Sequence, residues 1–67
     1  MIKVKEYLRK LEESKEGKPE QIKEAIEIYV GLWKSATEKG IISMNDELED
    51  ALEKIEDAGG LYRAAGY

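Results

Sequence analysis

Six carboxylates recur at spacings of three and four between positions 46 and 57: Asp46, Glu49, Asp50, Glu53, Glu56 and Asp57. On a helix this spacing places them along one face. Oxygen-rich faces suit hard divalent cations or a basic partner. The details argue against a built metal site. An EF-hand loop needs alternating ligands, a glycine at its sixth position and a terminal Glu. Carboxylate-bridged sites in helical bundles pair Glu with a His three residues on, and the chain has no His. The acidic face also opposes the apolar stripe of the same segment, so a solvated helix face accounts for it. No metal and no cofactor are expected.

Nucleophilic chemistry is equally unmarked. Ser14, Ser35, Thr37 and Ser43 are the hydroxyl residues besides Tyr, and none has a His to take its proton. There is no Cys, so thiolate chemistry and disulfides are ruled out. Gly59-Gly60 is not followed by Lys and Ser or Thr, so it is not a phosphate-binding loop. With no acid–base pair singled out, the chain reads as a protein without catalytic activity.

Charge is distributed unevenly. Residues 1–39 carry nine Lys or Arg against eight Asp or Glu, and residues 40–67 carry two against seven, which gives +1 and −5 and the net −4 of the chain. Lys3, Lys5, Arg9 and Lys10 form the basic cluster, at the start of the chain. A helix-turn-helix reader needs a basic recognition helix, whereas the last segment here is acidic and repels phosphate. Nucleic acid is therefore disfavoured as a partner, and a regulator using the basic face of the first helix is the alternative reading. The many Glu and Lys beside one Asn and one Gln resemble hyperthermophile proteins, in which ion pairs gain value on heating.

The elements that carry these residues follow from apolar periodicity. Sixty-seven residues make one domain. A first helix over about residues 2–15 presents Val4, Tyr7, Leu8 and Leu11 on a narrow stripe. A second, over about residues 19–39, opens with Pro19 at its first helical position and closes on Gly40. Its apolar residues, from Ile22 through Ile28, Val30, Leu32 and Trp33 to Ala36, sweep roughly 200°. A third runs over about residues 44–65, with Ser43 and Asp46 as a variant capping box and Leu48, Ala51, Leu52, Ile55, Ala58, Tyr62 and Ala65 on one face. That unbroken period favours a helix that crosses Gly59-Gly60, kinked there, over a stop. The predicted fold is all-α, an antiparallel three-helix bundle. The runner-up is a long hairpin of the second and third helices with the first docked or swapped in a dimer.

Tyr29 and Trp33, four residues apart, fit the core of a chain that has no Phe. Gly59 falls on the expected buried face, where a missing side chain permits close helix approach. Gly31 falls in the polar arc of the second helix, where packing does not call for it.

Three stretches carry a family resemblance. They are Tyr7-Leu8-x-x-Leu11-Glu12, the helix from Tyr29 that ends Glu38-Lys39-Gly40, and Ala51-Leu52-x-x-Ile55-x-x-Ala58-x-Gly60-Leu61-x-x-Ala64. Together they resemble a family of small archaeal helical-bundle proteins of unknown function. The resemblance implies a fold and a lineage, and no activity.

The expected function is a small protein-interaction or assembly module that binds another protein or itself. The apolar arc of the second helix is wider than two neighbouring helices need, so Ile28, Val30 and Leu32 at its margins, with Gly31, form the candidate interaction surface. No apolar run nears the ~20 residues of a membrane span, and the opening Met-Ile-Lys-Val-Lys-Glu lacks a secretory core. A cytoplasmic location is the corresponding expectation.

Overall fold

The computed structural model describes residues 2–66; Met1 and Tyr67, the ends of the expected domain, lie outside the described residues. The described chain is all-helical, with four helices: α1 (Val4–Ser14), α2 (Glu20–Glu38), α3 (Leu48–Asp57) and α4 (Leu61–Ala65). The expected third helix is thus two helices, and the three-helix description gives way to four. Each helix packs chiefly on two others, in the ring α1–α2–α4–α3 and back to α1. The Cα envelope is flattened, 34 × 28 × 16 Å.

The break has a local cause. α3 ends in a Schellman motif: Gly60 N–H donates to the Ile55 carbonyl at 2.9 Å and Gly59 N–H to that of Glu56 at 3.0 Å. Gly59 and Gly60 hold φ of +98° and +102°, a region L-residues avoid. Gly60 then opens α4, its carbonyl accepting from Ala64 N–H at 2.9 Å. The turn resets the helical register. Ala64 and Ala65 are buried, while Ala58, Gly59 and Tyr62, expected on the core face, are exposed.

α2 closes by the same device at Gly40 (φ +78°), where Ile41 N–H reaches the Ala36 carbonyl at 3.1 Å and Gly40 N–H that of Thr37 at 3.0 Å. Ile41 then packs against the core. At its start, Pro19 occupies the N-cap rather than the first helical position, and its carbonyl accepts from Ile22 and Lys23 N–H, both at 3.0 Å.

The N-termini of α1 and α3 satisfy each other. Lys3 and Glu47 are the N-cap residues, and neither caps with its side chain. Instead Val4 N–H donates to the Asp46 carbonyl (3.0 Å) and Lys5 N–H to that of Met44 (3.1 Å). Leu48 N–H donates to Ile2 in return (2.9 Å). Lys3 and Glu47 form an antiparallel bridge between the two segments. These carbonyls are committed to α1, so residues 44–47 cannot begin the helix expected there. The Ser43–Asp46 pair shapes the turn: Asp46 Oδ2 accepts from Ser43 N–H and from Lys54 Nζ, each at 2.9 Å. The Lys54 ammonium, and next the Ser43 amide, hold the Asp46 carboxyl below the ordinary Asp value of 3.8.

The core is built around Trp33, 1% exposed, with Val4, Leu8, Val30, Ala36, Ile42, Ala51, Ile55 and Ala64. Tyr7 and Tyr29 meet Trp33 edge-on, with ring centroids 5.6 and 6.2 Å away. Their hydroxyls touch at 3.3 Å. Burial, then the Tyr29 hydroxyl, push the Tyr7 phenol up to about 12.

Candidate functional site

α2 has 19 residues and α4 has five. At 1.5 Å per residue these are roughly 28 and 8 Å long, so α4 covers only part of the flank on which it lies. Lys39 Nζ donates to the Ala65 carbonyl and ties the C-terminal ends of the two helices together. The flank nearer the start of α2 is left open. An apolar groove of about 410 Å³ lies there, lined by Ala25, Ile28, Tyr29, Leu32, Leu61 and Tyr62. No lining residue is charged, in a chain that is 39% charged. Ile28 is 60% and Tyr62 63% exposed on its rim, and Leu32, at 5%, forms its floor.

The four residues expected to form one interaction surface are divided. Ile28 and Leu32 line the α2–α4 groove, and only Ile28 stands out from it. Val30, 4% exposed, is a core residue. Gly31 is exposed in a different hollow, between α1 and α2, that Val30 also lines with Glu12, Lys15, Glu27 and Lys34. The ion pairs Lys15–Glu27 (3.1 Å) and Lys34–Glu12 (3.4 Å) belong to that crossing. Val30 and Leu32 are buried because α1 and α4 grip α2 from two sides, so an arc of about 200° is mostly consumed within one chain. Tyr62, Leu61 and Ala25 were not singled out from the sequence as surface residues. The signal that could have found the first two is the glycine pair, whose turn moves Tyr62 off the core stripe.

Lys3, Lys5, Arg9 and Lys10 are all exposed. At about 100° per residue, Lys3 and Lys10 fall on one flank of α1 and Lys5 and Arg9 on the other, with Glu6 and Glu13 between them. Arg9 pairs with Glu13 at 3.9 Å. The cluster of the sequence is two separated pairs on the surface, which weakens its pull on a phosphate backbone.

On α3, Asp50, Glu53 and Asp57 share a shallow hollow with Lys54. Among the described residues no group of three or more acidic side chains is arranged to hold a metal ion. No helix among the described residues is long and apolar enough to cross a membrane. No protein-family model, no characterised protein and no solved structure matches the chain.

Proposed function

We propose that this chain is a small protein-interaction or assembly module that binds through the α2–α4 groove. The observation that carries the reading is the uncharged lining with Ile28 and Tyr62 exposed at its rim. Aromatic and aliphatic anchors beside a depression are what interface hot spots are made of. Exposed apolar groups gathered in one place, rather than scattered singly, mark binding sites. The reading assigns the chain no reaction and no cofactor. The basic residues of α1 are secondary to it, because Glu6 and Glu13 divide them.

The test is affinity capture with tagged wild-type chain and tagged Ile28→Glu, from nuclease-treated and untreated extract. Ile28 is exposed, so the variant is expected to keep its fold, checked by circular dichroism. A protein retained by the wild type after nuclease and lost with Ile28→Glu supports the reading. Capture that does not depend on Ile28 overturns it. Capture abolished by nuclease points to the α1 cations instead.

A further inference from the structure

α4 is attached at its two ends and offers little packing between them. At its start it hangs from α3 on Gly59-Gly60, both at positive φ, and glycine crosses to other backbone conformations at little steric cost. At its end Lys39 Nζ donates to the Ala65 carbonyl. Lys39 is the C-cap residue of α2, with its own N–H held on the Ser35 carbonyl at 3.0 Å. Its ammonium therefore sits at the C-terminal end of α4, where carbonyls lack helical partners and the dipole favours a cation. Gly66 leaves room for it, since a Cβ there would collide with Lys39 Nζ. The inward residues of α4 are the small Ala64 and Ala65, with Leu61 half-buried beside them, while Tyr62 and Arg63 are exposed. Five residues do not hold a helix by themselves, because nucleation costs more than so few hydrogen bonds return.

We infer that α4 is a latched lid: it lifts from α2 and unwinds about Gly59-Gly60 while α1, α2 and α3 stay folded, and the Lys39–Ala65 bond sets how often it does so. The large core side chains, Val4, Leu8, Val30, Trp33, Ile42 and Ile55, all come from outside α4. The elements that carry them are joined without its help. The backbone bonds of Val4 to Asp46, Lys5 to Met44 and Leu48 to Ile2 tie α1 to the start of α3. The Lys15–Glu27 and Lys34–Glu12 pairs span α1 and α2. A segment with few buried apolar groups is where a domain opens first. Lifting α4 extends the apolar groove toward the C-terminal end of α2, the end to which Lys39 ties it. That use of the motion rests on the interaction reading above; the motion itself does not.

The experiment is native-state amide hydrogen exchange, corrected for intrinsic rates, on the wild type, Lys39→Met and Val4→Ala, with folds checked by circular dichroism. In the wild type the Ala64 and Gly66 amides, bonded to the Gly60 and Arg63 carbonyls, are expected to exchange at least about tenfold faster than those of Trp33 and Ala36. Lys39→Met keeps the length of the side chain and removes the donor, and is expected to speed both α4 amides about fivefold. Val4→Ala loosens the buried face of α1. It is expected to speed Trp33 and Ala36 about fivefold, through global unfolding, and to leave Ala64 and Gly66 unchanged, because the lifted form keeps Val4 packed. Three results overturn the inference: α4 amides as slow as Trp33, α4 amides that speed up with Trp33 in Val4→Ala, or no change at α4 in Lys39→Met. Failure of the lid leaves the binding reading standing, since capture through Ile28 is measured separately.

Discussion

Replacing Gly31 by Ala should stabilise the protein. Gly31 lies inside α2 at an exposed position, and a Cβ built on it has no neighbour within 4 Å. Its φ is not among the positive values of the chain's glycines, so Ala meets neither a clash nor a strained backbone. What remains is intrinsic propensity: glycine in a helix interior costs about 0.8–1.0 kcal/mol relative to Ala. A chain of this size unfolds with an entropy of roughly 0.14 kcal/mol/K, so about 1 kcal/mol corresponds to a rise in Tm of about 7 °C. Thermal unfolding followed at the helical band, with urea titration as a second measure, reads the change directly. A Tm unchanged or lowered would refute the reasoning, because it would mean that something absent from a single chain meets the backbone at Gly31. Gly31 faces the α1–α2 hollow rather than the α2–α4 groove, so the same variant should leave binding at the groove untouched.

Other outcomes follow from the same geometry. Gly60→Ala, at φ +102° and ψ 171° with open space around it, should lose about 1–3 kcal/mol to backbone strain alone; a neutral result in urea unfolding would show that the α3–α4 turn is not held as described. Trp33→Ala, emptying the centre of the core, should cost about 3–5 kcal/mol and leave the chain largely unfolded, seen as lost ellipticity. Asp46 has a depressed pKa, so its contribution to stability is complete above its unfolded value near 3.8 and disappears as pH falls through the lower folded value. Asp46→Asn should flatten that acid limb of the stability–pH curve. Tyr7, raised from 10.0 to about 12, acts at the other end: its contribution is full below pH 10.0 and declines as pH climbs to about 12. Ultraviolet titration should accordingly show one phenol ionising late, and Tyr7→Phe should remove that late step.

Much of the architecture was readable from local chemistry. Gly40 ends α2 by a motif that depends on glycine's left-handed freedom and on Ile41 reaching the core, both visible as letters. The stripes of α1 and the burial of Trp33 follow from periodicity and from the lack of any Phe to do the same job. Other features needed three dimensions. The apolar period runs on through Gly59-Gly60, and periodicity carries no information about a turn that resets register after one residue. The start of α3 is decided by Val4 and Lys5, forty residues away in sequence, whose amides take the Met44 and Asp46 carbonyls. The candidate surface was half legible for the same reason. Ile28 was identified at the margin of a wide stripe, but Val30 and Leu32 could be assigned inward only once α1 and α4 were in place. Tyr62, the other rim residue, is exposed by the turn that the period concealed.

The central claim is that the α2–α4 groove is a binding face, and capture from nuclease-treated extract by the wild-type chain beside Ile28→Glu, Tyr62→Glu and Glu53→Lys, all at exposed positions, tests it most directly. A protein retained by the wild type and by Glu53→Lys on the acidic face of α3, and lost with Ile28→Glu and with Tyr62→Glu, is the expected result. Retention unaffected by the two groove variants, or lost with Glu53→Lys alone, would contradict binding through this face.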